Sequence, residues 1–202
     1  MRSLRTTFVA AAVALAAAVS FSSPAQAATF STGHFDLLDI DYTGTGSPTL
    51  NINQHSPADD NVNPVGNVIQ VPAAAQTTLG TGLACIGAAT DSVYRLPQTL
   101  NSNLLYAGWN TEGSTGAATL QLVSASTPVG GKFAIYQAVT GGVSLKLASS
   151  ATTCGVSSFS AAANQHAHAN WVFTKAGTYT LTFKATVGAA GSGNVVYTFS
   201  VG

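Results

Sequence analysis

The chain has 202 residues, with seven Lys+Arg, seven Asp+Glu, 20 glycines and two cysteines, and only 7% of it is charged, against roughly 25% in an average soluble domain. Without residues 1–27, read below as an export signal, five basic and seven acidic side chains remain and the net charge is −2. That balance argues against a nucleic-acid binder, which needs clustered Lys and Arg to displace counterions, and against a polybasic membrane-surface protein.

The N-terminus reads as an address. Arg2 and Arg5 precede an apolar run from Phe8 to Val19, too short for a comfortable membrane span. Ala25-Gln26-Ala27 is the small-x-small pattern at which a signal peptidase cuts. The expected products are a signal peptide, 1–27, and a single exported domain, 28–202, with no membrane insertion of the mature chain. Its length is enough for one domain with its own core.

From there the pattern is period 2. Strands read at Phe35–Tyr42, Thr49–Asn53, Val68–Val71, Val93–Leu96, Ala118–Val123 and Lys132–Gln137. The clearest alternation follows: Val143, Leu145 and Leu147; then Tyr179, Leu181, Phe183, Ala185 and Val187; then Val195, Tyr197, Phe199 and Val201. In each, one face is apolar and the other polar, as in a half-buried strand. Gly, Pro, Asn and Ser clusters separate them, and Ser56–Pro64, with Asp59 and Asp60, reads as an exposed loop. No amphipathic helix is predicted after the signal, and Ala161–Ala163 allows one helical turn at most. Eight or nine short strands predict an all-β, immunoglobulin-like antiparallel β-sandwich. Leu96–Leu100 (LPQTL) resembles a sorting signal but sits mid-chain, and reads as a strand end and turn.

Cys85 and Cys154 are the two cysteines, and export to an oxidising compartment favours pairing them. They lie 69 residues apart, so the chain-entropy model gives the bond about 3–4 kcal/mol.

The chemistry-bearing side chains are histidines. His166-Ala167-His168 places two imidazoles on one face of an extended segment, roughly 6.5–7 Å apart. His34 and Asp36 repeat that spacing at the start of the first long strand. If that strand lies near the segment before Trp171, His34, His166 and His168 can form a three-nitrogen metal site, with Asp36 as a fourth ligand or an orienting acceptor. Hydrogen bonding in a polar turn is the plainer reading of the same histidines. His55 reads as a loop residue. Trp109 and Trp171 read either as core or as walls of the histidine site. No Gly-x-Ser-x-Gly elbow or His-Glu-x-x-His pair is present, Glu112 is the only glutamate, and no catalytic residue is assigned.

Several segments together resemble a known family. They are Gly33–Leu38 (GHFDLL), Val93–Thr99 (VYRLPQT), Tyr106–Glu112 (YAGWNTE), His166–Tyr179 (HAHANWVFTKAGTY) and the final Tyr197–Gly202. In this order they are similar to the actinobacterial surface-anchored, or choice-of-anchor M, domain. The resemblance implies an exported actinobacterial protein associated with metal-type ABC transport, and brings no established activity. Such domains usually carry a C-terminal anchor, whereas this sequence ends where the domain ends, which suggests a freely secreted form or one held at the surface by a partner.

The expectation is a secreted or cell-surface, non-catalytic β-sandwich that binds a divalent transition metal, zinc before copper, through His34, His166, His168 and Asp36. Metal-transport or cell-surface proteins are its expected partners. The rival expectation is a metal-free extracellular assembly or interaction module that acts through protein contacts and self-association.

Overall fold

The computed structural model describes residues 27–55 and 60–202. The signal read over residues 1–27 lies outside them except for Ala27, as do residues 56–59 of the expected exposed loop. The strands in chain order are β1 (Thr29–Phe30), β2 (Gly33–Asp41), β3 (Thr49–Gln54), β4 (Asp60–Val62), β5 (Val68–Val71), β6 (Gln76–Thr78), β7 (Ser92–Leu96), β8 (Leu105–Asn110) and β9 (Ala118–Ser126). There follow β10 (Phe133–Val139), β11 (Gly142–Ala148), β12 (Ser158–Ala161), β13 (His166–His168), β14 (Asn170–Phe173), β15 (Gly177–Val187), β16 (Ala190–Gly191) and β17 (Val195–Val201). Helical turns form at Ala73–Ala75 and Ala151–Cys154, and not at Ala161–Ala163, where β12 ends.

Alternation becomes burial where it was strongest. Along β15, Tyr179, Leu181, Phe183, Ala185 and Val187 are buried and the residues between them are partly exposed. This strand is central in a seven-stranded sheet ordered β1-β5-β17-β15-β9-β12, with β16 on β15. Two five-stranded sheets, β11-β10-β14-β7-β6 and β13-β8-β2-β3-β4, form the facing layer. Phe183 and Phe199 of the first layer meet Trp171 and Phe133 of the second at ring centroid distances of 5.9–6.3 Å. Tyr197 donates a hydrogen bond to the Asn51 carbonyl of β3 (3.1 Å). Apolar side chains from both layers share one core, so the architecture is a β-sandwich. The two layers bury their apolar faces together because neither can do so alone. Three pairings depart from the antiparallel expectation: β1 with β5, β17 with β5 and β2 with β8 are parallel.

Some short elements differ from the sequence reading. Asp60, expected in a loop, begins β4 against β3. Strand β8 carries no alternation because both of its faces are covered: of Leu105–Asn110 only Tyr106 is not buried. A strand buried on both sides loses its period-2 signature. The Cys85–Cys154 disulfide forms. It joins the segment before β7 to the helical turn after β11, and thereby pins Leu79, Leu83 and Ile86 over Val93, Ala134 and Val172 in a second, smaller apolar cluster.

Candidate metal centre

The site is built on the outer face of the β13-β8-β2-β3-β4 sheet. Strand β8 lies between β2 and β13 and pairs with both. His34 stands opposite Tyr106, and Asp36 opposite Gly108. On the other side His168 faces Gly108 and His166 faces Asn110. Residues in register across a sheet, and those two apart along a strand, share a face. His34, Asp36, His166 and His168 are therefore brought to one surface, with Gly108 as the gap between them. Trp109, next to Gly108, points the opposite way into the core.

Gly108 is required by space. A Cβ placed there would lie 2.5 Å from the Ala167 carbonyl oxygen, 2.7 Å from Asp36 Oδ1 and 2.8 Å from His168 Nδ1. The missing side chain lets a carboxylate and an imidazole approach each other across the strand.

His55 joins the group from β3. Its backbone N–H donates to the His34 carbonyl (3.1 Å), which continues the β2–β3 ladder past Gln54. The two rings stack at 4.1 Å. His55 Nε2 lies 2.7 Å from Asp36 Oδ2, His166 Nε2 lies 3.1 Å from Asp36 Oδ1, and the Nε2 atoms of His34 and His166 are 3.2 Å apart. One ligand atom from each of His34, Asp36, His55 and His166 falls within 4.8 Å of all the others. A tetrahedral zinc with bonds of about 2.0–2.1 Å sets its ligand atoms roughly 3.3–3.4 Å apart; the His34–His166 and His166–Asp36 pairs, at 3.2 and 3.1 Å, lie close to that spacing and the His55–Asp36 pair, at 2.7 Å, below it. Asp36 is fully buried, and its Oδ1 makes no hydrogen bond among the described residues. His166 Nε2, 3.1 Å away, can serve that oxygen as a donor only when the nitrogen carries a proton, and a cation at the centre of the four groups would satisfy it equally. These four groups could hold a metal ion.

His168, expected as a ligand, borders the four-residue group without being one of its members. Its ring stacks on Tyr106 at a centroid distance of 3.5 Å and borders His34 and His166 at 4.7 and 4.9 Å. It forms a wall of the site, and His55 stands among the four grouped ligands. Neither tryptophan lines the histidines. Trp109 is 2% exposed and its indole N–H donates to Gln165 Oε1 (3.3 Å). Trp171 is fully buried among Phe133, Phe183 and Phe199. The aromatic wall is Tyr106.

The turn into β13 is fastened from β8. The Thr111 N–H donates to the Gln165 carbonyl (2.8 Å), the Thr111 hydroxyl to the Ala162 carbonyl (2.6 Å), and the Gln165 N–H back to that hydroxyl (2.9 Å). Asn164, in left-handed backbone at φ 54°, makes the bend. These bonds hold the His166-Ala167-His168 strand in register.

Burial pushes His168 down to about 4, and the neighbouring His34 adds to the effect while Asp36 opposes it. An unfolded histidine protonates near 6.5. Between those values the unfolded chain binds a proton that the folded chain does not, so this residue makes stability fall as pH drops from 6.5 to 4. Above 6.5 its contribution is constant. A His168→Asn variant should therefore show a flatter dependence of metal-free stability on pH across that window than the wild type, measured by urea denaturation at successive pH values. Equal slopes would show that His168 titrates normally in the fold.

No protein-family model matches the chain, and no curated protein matches it. A solved structure described as the N-terminal domain of PorA is similar at 12% identity and a TM-score of 0.37, over 71% of this chain and 92% of that one. The resemblance to the choice-of-anchor M domain thus rests on the sequence motifs alone.

Proposed function

We propose that this is a secreted, non-catalytic metal-binding protein of the cell surface or extracellular space, which captures zinc or copper for an ABC-type uptake system. One observation carries the reading: three imidazole nitrogens and a fully buried carboxylate converge on one point. Four protein ligands fill a tetrahedral zinc shell and leave no open position, whereas catalytic zinc sites keep one for water or substrate. Soft ligands are absent from the group. Both cysteines are in the disulfide, and the single methionine is Met1. Nitrogen and oxygen donors favour Zn(II) or Cu(II) over Cu(I). The disulfide fits an oxidising compartment, and the uptake role rests on the family resemblance.

Zinc titration of the 28–202 chain, with metal content measured after chelation and reloading, tests the reading. Wild type should take one equivalent, and His34→Ala/His166→Ala should take none while keeping its fold. Because imidazoles bind metal only when neutral, affinity should fall as the solution is acidified. A correctly folded wild type that takes no zinc or copper would make the histidines structural hydrogen-bonders and leave the metal-free interaction module.

A further inference from the structure

A second site lies on the outer face of the β11-β10-β14-β7-β6 sheet, where the disulfide-pinned segment stops covering it. It is a cleft of about 390 Å³ lined by Arg95, Gln98, Thr99, Tyr136, Ala138 and Asn170. Register explains the grouping. Arg95 pairs with Val172 and Tyr136 with Asn170, which places Arg95, Tyr136 and Asn170 on one face of three adjacent strands.

The side-chain oxygens of Asn170, Gln98 and Tyr136 in this cleft each already accept a hydrogen bond. Asn170 Oδ1 accepts from the Gln98 N–H (3.0 Å). Gln98 Oε1 accepts from the Ala138 N–H (2.7 Å) and from Asn170 Nδ2 (3.3 Å). The Tyr136 hydroxyl oxygen accepts from Arg95 Nη1 (3.3 Å). These bonds leave several donors for a ligand: the other guanidinium N–H groups, the Tyr136 O–H and the Gln98 side-chain NH₂, with the Thr99 hydroxyl also in the lining. Arg95 is only partly exposed, and among the described residues it has no carboxylate within ion-pair distance. It is also the only arginine outside residues 1–27. The neighbouring cleft around Lys132 and Lys175 differs: Asp91 also lines it, and the Lys132 ammonium donates to the Cys85 carbonyl (3.1 Å).

We propose that the Arg95 cleft binds the carboxylate of a small organic monoanion. A fork of N–H donors beside a hydroxyl donor matches a planar carboxylate, which accepts two parallel hydrogen bonds. A single cation in the cleft balances one negative charge, and that selects a carboxylate over a phosphate dianion. The locked Gln98–Asn170 amides hold the rim in place, so little ordering is needed on binding. An acidic sugar and the free carboxylate of a peptide carry the same recognised group.

The 28–202 chain has one arginine, so its side-chain Nε–H gives one NMR signal that reports on the cleft. That signal should be followed while D-glucuronate, N-acetylalanine, glucose and inorganic phosphate are added separately to protein stripped of metal by a chelator that is then dialysed away. The signal should move saturably with glucuronate, with N-acetylalanine or with both, and not with glucose. A response to glucuronate alone assigns an acidic sugar, and a response to N-acetylalanine alone assigns a peptide carboxylate. Calorimetry on Arg95→Gln should show affinity for the active carboxylate weakened about tenfold or more. Arg95→Lys should recover part of it, since an ammonium keeps the charge without the fork. Gln98→Ala, which leaves the guanidinium in place, should weaken binding by less than Arg95→Gln. Failure of both carboxylates to shift the signal, tighter binding of phosphate, or equal binding of glucose would overturn the proposal.

Discussion

Asp36→Asn should abolish zinc-dependent stabilisation while leaving the metal-free fold almost unchanged. Asparagine has the shape of aspartate and can still bond His55, which lies 2.7 Å from Asp36 Oδ2. It cannot supply the negative charge that a divalent ion meets in this otherwise neutral ligand set. Loss of an outer partner of a metal ligand typically costs 10–100-fold in affinity, and loss of a direct ligand should cost on the order of 100-fold or more. At a free zinc concentration of a hundred times the dissociation constant, wild type gains about 2.7 kcal/mol. For a domain of this length that raises the melting temperature by roughly 5–10 °C. The variant should show no such rise at the same zinc concentration. A full zinc-induced rise in Asp36→Asn would remove Asp36 from the ligand set and reduce the centre to its imidazoles.

Gly108→Ala should damage the fold and the site together. The new methyl would sit 2.5 Å from the Ala167 carbonyl oxygen, a backbone atom, and under 3 Å from both Asp36 Oδ1 and His168 Nδ1. No flexible side-chain tip can simply move aside. Either β13 separates from β8 or the Asp36 carboxylate is displaced. Overpacking of this kind costs about 1–3 kcal/mol, and either movement breaks the convergence of the four ligands. Thermal melts of the metal-free protein and zinc titration of the same samples should both change. Normal zinc affinity in a destabilised Gly108→Ala protein would mean that β13 absorbs the strain without moving His166, and that Gly108 serves only packing.

Much of this molecule is written in local pattern. β5 and β17 begin and end at the residues where alternation begins and ends, and β15 extends only two residues beyond it. A strand with one face in the core and one in water must alternate, so its burial is visible in one dimension. The disulfide was legible for a similar reason, since two cysteines leave one pairing. The chelating potential of His34 with Asp36, and of His166 with His168, came from spacing alone.

What the sequence did not reveal is what only long-range pairing decides. β8 shows no alternation because it is buried on both faces, yet it carries Gly108 and joins β2 to β13. His55 looks like a loop residue because its strand assignment stops at Asn53. Its approach to His34 depends on the β2–β3 ladder running one step past Gln54. His168 has the spacing of a ligand, and its stacking on the Tyr106 ring is a contact that spacing does not announce. The tryptophans beside the motifs face inward because neighbours along a strand point to opposite sides. The sequence by itself determined the fold class, the disulfide and the residue types of the centre. Which four side chains converge was decided by the parallel β2–β8 register and the space at Gly108, because side chains from separate strands meet only when pairing between distant segments sets them in one row.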